Sequence, residues 1–144
     1  TVLRDYHAEN IMLLSDGAQG LIDFQDALAG HPAYDLVSLL QDARRPISEQ
    51  LENAMLDYYL NQRPELDQEQ FRADYAVLGA QRNIKILGIF TRLSERDNKP
   101  HYLKLQPLVW RYLERDLQHP ALAPLKSWLD RTVPDAARAS AWLR

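Results

Sequence analysis

Two short apolar runs, "NIMLL" (Asn10 to Leu14) and "LIDF" (Leu21 to Phe24), flank the polar stretch "SDGAQG". Apolar runs of strand length around a turn rich in Ser, Asp and Gly predict a β-hairpin, with Asp16-Gly17 at its tight turn. This feature limits the fold most, because a hairpin brings together residues that are distant along the chain. The start of the first strand lies beside the end of the second. Asn10 and Asp23 are therefore expected at one end, and Asp5 can curl back over it. Two carboxylates and a carboxamide at one mouth form an oxygen-rich site. Such a site suits Mg²⁺, which takes hard oxygen ligands and completes its shell with water and phosphate.

From "HPAYDL" onward the apolar period becomes helical. Leu36, Leu39 and Leu40 share one face of a helix of about three turns that Pro46 closes. Ser48 caps a second helix whose apolar face carries Leu51, Ala54, Met55, Tyr58 and Tyr59, and Pro64 ends it. Asp67 caps a long helix from Gln68 to about Arg96. Its stripe reads Phe71, Tyr75, Leu78, Arg82, Ile86, Ile89, Leu93, in steps of three and four. A helix or helix pair covers Tyr102 to Leu117, with a break expected at Pro107. Another covers Leu122 to about Thr132, and the Ala-rich tail after Pro134 reads as a short or frayed helix. The expected fold class is mainly α with one short β-hairpin.

The 144 residues suffice for one domain with a real core. A net charge of −3 from 17 basic and 20 acidic residues offers no footprint for nucleic acid. No apolar run approaches the roughly 18 to 20 residues of a membrane span. The first residues lack the apolar core of a signal peptide, and cysteine is absent. Together these lead us to expect a cytoplasmic protein that engages neither nucleic acid nor membrane.

The segments "RDYHAEN" and "GLIDF" resemble the catalytic loop and metal-binding strand of the protein-kinase-like superfamily. "IDF" followed by "HPAYDL" is closer to its aminoglycoside phosphotransferase and choline kinase branch. The longer string "GLIDFQDALAGHPAYDLVSLLQDARR" is most similar to sugar kinases of bacterial cell-wall recycling, which phosphorylate N-acetylmuramate and N-acetylglucosamine at the anomeric hydroxyl. The resemblance extends over the whole chain, but its specific motifs lie in the first 36 residues. It implies the C-lobe of a protein-kinase-like α+β fold, with the catalytic loop and metal-binding hairpin in 1–26 and a helical part in 33–144. It also implies an ATP- and Mg²⁺-dependent small-molecule kinase. By position, Asp5 is the catalytic aspartate, Asn10 and Asp23 hold the metal, and Asp35 braces the catalytic loop from behind.

The pattern is not followed everywhere. Leu3 stands where most relatives carry His, and Gln25 and Asp26 follow Asp23 where protein kinases have Gly. The chain contains no Gly-rich phosphate loop, no strand Lys and no N-terminal lobe. We expect these, and most adenine contacts, to precede Thr1. The missing N-terminal lobe of the same protein is then a partner, and the chain alone is inactive if it is truncated.

Three further residues are candidates for substrate binding. Arg82 interrupts an apolar stripe, which fits either a snorkelling stem or a cation facing a substrate carboxylate. Arg4 is expected to form an ion pair beside Asp5 or to meet the substrate. His7 is expected to pack under the loop or to touch the acceptor. Other acceptors within the class are aminoglycosides, choline and homoserine. The rival from another class is a non-catalytic helical binding module.

Overall fold

The computed structural model describes residues 1–133 and Arg138. Most of them are helical, and the one sheet has two strands. The chain divides into two compact units, 1–71 and 72–144. Among the described residues no helix is long and apolar enough to cross a membrane. The tail after Pro134, Arg138 apart, lies outside the described residues.

In the first unit, β1 (Ile11–Leu13) pairs antiparallel with β2 (Gln19–Leu21), and Ile11 stands opposite Leu21. The turn forms where Asp16 and Gly17 predict it. Gly17 takes φ +82°, and the Asp16 carboxylate accepts the Ala18 N–H at 3.0 Å. Glycine adopts that backbone without the Cβ clash that penalises other residues, and Asp closes the loop on its own main chain. Outside the hairpin, Val2 and Leu28 exchange two backbone hydrogen bonds of 2.8 and 3.0 Å. The segments entering and leaving the hairpin are thus joined a second time.

Helix α1 (Ala33–Leu40) follows a turn in which His31 Nδ1 accepts the Ala33 N–H at 3.3 Å. It is shorter than the sequence suggests. It ends before Gln41, whose backbone leaves the helical region and whose amide donates to Glu52 Oε1 at 2.8 Å. Helix α2 (Glu49–Asn61) has the expected cap, with Ser48 Oγ accepting the Leu51 N–H at 3.2 Å. Its inward face is not the expected one. Glu52, Leu56 and Leu60 are buried, while Leu51, Met55 and Tyr58 are exposed. The Gln41–Glu52 hydrogen bond accounts for the difference. A buried carboxylate needs a partner, and meeting it turns the helix by one position.

Helix α3 (Gln68–Glu95) crosses from the first unit into the second, and Asp67 caps it through the Gln70 N–H at 3.0 Å. In the first unit its Phe71 stacks on Tyr59, with ring centres 5.4 Å apart. Beyond Tyr75 the fully buried positions are Ala76, Gly79, Ala80, Asn83 and Phe90. Leu78, Arg82, Ile86, Ile89 and Leu93 are only half-buried. The expected stripe of large residues is therefore displaced, because small residues let neighbouring segments approach the helix closely.

The second unit adds a 3-10 turn (Pro100–Leu105), α4 (Gln106–Asp116), a further 3-10 turn (Pro120–Leu122) and α5 (Ala123–Thr132). The expected break at Pro107 is where the 3-10 turn gives way to α4, whose first turn Pro107 occupies, since that turn needs no N–H from the position. Ala76 and Ala80 of α3 pack in one cluster with Leu113, Leu117, Leu122 and Leu129. Arg138 gathers this unit's last elements. It donates to Asp130 at 3.0 Å and to the Val133 carbonyl at 2.7 Å, pairs with Glu114, and lies over the Trp110 ring. Hydrogen bonds from Lys126 and then Arg138 hold the Asp130 carboxyl below its ordinary pKa.

Gly79 has a specific packing reason. A Cβ there would stand 2.7 Å from both carboxylate oxygens of Asp116, which is buried and accepts from Asn83 Nδ2 at 3.0 Å. Substituting Gly79→Ala is expected to destabilise the protein by about 1–3 kcal/mol, since a well-packed polar cluster has to move. Urea denaturation checks this, and an unchanged midpoint would mean that Asp116 swings aside freely.

Candidate functional site

The candidate site lies within the first unit, where the hairpin does what its register predicts. The Ile22 N–H donates to the Asn10 carbonyl at 3.1 Å, one step beyond the Ile11–Leu21 pair. Asn10 and the Ile22–Asp23 segment therefore stand at the same end of the ladder. The loop before β1 folds back onto this end. Asn10 Nδ2 donates to the Asp5 carbonyl at 2.8 Å, and the same carbonyl accepts the His7 N–H at 3.1 Å. A 3-10 turn, Ala8–Asn10, completes the curl. The loop segment bearing Asp5 is thus tied to Asn10 by a direct hydrogen bond.

Asp35, in the first turn of α1, holds the same loop from the other side. Its Oδ2 accepts the Leu3 N–H at 2.7 Å and its Oδ1 accepts the Arg4 N–H at 3.0 Å. One carboxylate thereby satisfies two adjacent backbone donors with charge-assisted bonds. Arg4 needs the support, since its φ is +73°. Asp23 is also left-handed, at φ +58°. Among the described residues the one other non-glycine with positive φ is Asn98. Each such backbone costs about 1–3 kcal/mol and persists where the surroundings impose it. Two of the three flank this one mouth.

The side chains at the mouth differ in exposure. Asp5 is open to solvent, and its Oδ1 lies 3.5 Å from Nε2 of His7, which is buried. Asp23 is exposed, and its Oδ1 accepts Gln25 Nε2 at 2.6 Å. Gln25 stands out in the sequence only as a departure from glycine, and its contact with Asp23 emerges from the fold. Glu9, for which the sequence suggests no role, pairs with Arg44 Nε at 3.4 Å. The Arg44 N–H donates in turn to the buried Asp42 at 2.9 Å. Nothing in the sequence pattern points to that link. Arg4 is exposed and forms no ion pair among the described residues, so the fold uses its backbone rather than its charge. Arg82 belongs to the second unit and is half-buried.

The donor set can be tested against a divalent cation. Among the described residues no three His, Cys, Asp or Glu side chains cluster as a metal site. The hairpin end carries a carboxamide on Asn10 and a carboxylate on Asp23 instead. Asn10 commits its Nδ2 to Asp5, and Asp23 commits one oxygen to Gln25. Among the described residues the Asn10 Oδ1 and the second Asp23 oxygen accept no hydrogen bond. Hard oxygens from one or two side chains, with water and phosphate completing the shell, match Mg²⁺, so the residues fit the ion.

The chain is 54% identical over 139 residues to the N-acetylmuramate/N-acetylglucosamine kinase of Caulobacter vibrioides, covering 94% of this chain and 38% of that protein. It is 38% identical to the kinase of the same name from Pseudomonas aeruginosa, covering 96% of this chain and 42% of the relative. Against the Neisseria meningitidis serogroup B kinase it is 39% identical, covering 93% and 42%. The chain therefore spans 38–42% of the length of these relatives. The model of the phosphotransferase enzyme family matches residues 1–72, the half that carries Asp5, Asn10, Asp23 and Asp35. On that match, the chain belongs to the phosphotransferase enzyme family.

Proposed function

We propose that the whole protein is a sugar kinase that transfers the γ-phosphate of ATP to a hydroxyl of an amino sugar, N-acetylmuramate or N-acetylglucosamine, at the anomeric position. The observation that carries the reading is the tie from Asn10 to Asp5 at the hairpin end where Asp23 also stands. In this reading Asp5 orients the acceptor hydroxyl and takes its proton as oxygen attacks the γ-phosphorus and ADP leaves. Asn10 and Asp23 would hold Mg²⁺, which neutralises charge on the phosphates. Asp35 keeps the Asp5 loop in place through the Leu3 and Arg4 amides. Arg4, whose side chain is exposed, is the candidate cation for a substrate carboxylate. Most of the rate enhancement then comes from positioning and charge neutralisation.

Incubating the whole protein with ATP, Mg²⁺ and a panel of acceptors tests this. The panel holds both amino sugars, an aminoglycoside, choline and homoserine. Chromatography is expected to show phosphorylated amino sugar, and chelation of Mg²⁺ to abolish it. Phosphorylation of choline, homoserine or the aminoglycoside alone would reassign the acceptor. No product with any of them would favour a binding module without catalysis.

A further inference from the structure

We infer that His7 is a positioning residue for Asp5, acting through an Nε2–H directed at the Asp5 carboxylate. The inference rests on the reading of Asp5 as the catalytic base. His7 is 7% exposed, so almost none of its surface is available to a substrate. Its Nε2 lies 3.5 Å from Asp5 Oδ1, and its Nδ1 is buried with no hydrogen-bond partner among the described residues. A neutral imidazole carries its proton on one nitrogen and a lone pair on the other. Protonation at Nδ1 would bury an unmatched donor and set a lone pair against a carboxylate oxygen. Protonation at Nε2 sets a donor against the carboxylate and leaves at Nδ1 only an unmatched acceptor, so the carboxylate favours that tautomer.

The consequence for Asp5 is geometric. Its carbonyl is already held by the Asn10 amide and the His7 N–H. The imidazole then restricts the side chain by facing Oδ1, which leaves Oδ2 for the acceptor hydroxyl. At 3.5 Å the contact is longer than a full hydrogen bond. Such contacts at catalytic groups commonly tighten only once substrate is bound.

The test uses two amides in the whole protein. In His7→Gln the side-chain nitrogen reaches the Nε2 position, and in His7→Asn it reaches only Nδ1. We expect His7→Gln to keep kcat within about threefold, and His7→Asn to lose about 10- to 100-fold with both KM values unchanged. Equal kcat in the two variants, with wild type active, would overturn the inference, as would a loss expressed in acceptor KM. The ¹⁵N resonances of His7 supply a readout that does not depend on turnover. They should show a protonated Nε2 and a bare Nδ1, and the Nε2 signal should move in Asp5→Asn. The opposite tautomer also overturns the inference. A wild-type protein that phosphorylates nothing overturns the kinase reading and takes this inference with it.

Discussion

Asp5→Asn in the whole protein is expected to slow phosphoryl transfer by about 10²- to 10⁴-fold, the usual contribution of a general base. The substitution is nearly isosteric, and little of the fold depends on the group it changes. The Asp5 side chain is 60% exposed, with His7 Nε2 3.5 Å from its Oδ1. The bonds that shape the loop go to the Asp5 backbone carbonyl, which the variant keeps. Melting temperature should therefore stay close to wild type while kcat falls. A carboxamide can still accept a hydrogen bond from the acceptor hydroxyl but cannot take up its proton. Near-normal turnover in this variant would remove Asp5 from the mechanism.

The second large effect is expected at Asp35. Replacing it with Ala removes both acceptors of the Leu3 and Arg4 amides and leaves the left-handed Arg4 backbone without its support. Charge-assisted hydrogen bonds contribute about 1.5–3 kcal/mol each. The Arg4 bond is solvent-exposed, so we discount the sum to about 2–3 kcal/mol of lost stability. Activity should fall as well, because Asp5 follows Arg4 directly. A shift of about 1 Å in a catalytic group costs on the order of 100-fold in rate. Asp35→Asn keeps one acceptor oxygen and turns an NH₂ toward the other amide, so it should rescue only partly. Denaturation midpoints and kcat measured on the same samples check both effects. Full stability with full activity in Asp35→Ala would show that the loop holds itself.

These two experiments separate the layers of the site. In the proposed reading Asp5 would meet substrate, whereas Asp35 holds the Leu3 and Arg4 amides beneath it. His7 and Gln25 lie between these roles, each facing a carboxylate oxygen at the mouth. Glu9 and Arg44 tie the 3-10 turn next to Asn10 toward Asp42. Two positive-φ residues in this small region fit a loop whose shape is imposed by long-range hydrogen bonds rather than by local preference.

The sequence by itself determined the local features. Asp16-Gly17 made the turn, Ser48 and Asp67 capped their helices, and the two apolar runs about that turn gave the antiparallel pairing that brings Asn10 to the Asp23 end. All of these depend on neighbours a few positions away or on one short ladder, so a one-dimensional pattern carries them. Only the tertiary structure decided which faces of α2 and α3 turn inward. Buried polar pairs, Gln41 with Glu52 and Asn83 with Asp116, accompany a choice that a count of large apolar residues does not make. The grip of Asp35 on the Leu3 and Arg4 amides spans 32 and 31 positions. No periodicity encodes a bond of that separation. It forms because a buried or strained polar group has to find its partner wherever the fold brings one within reach.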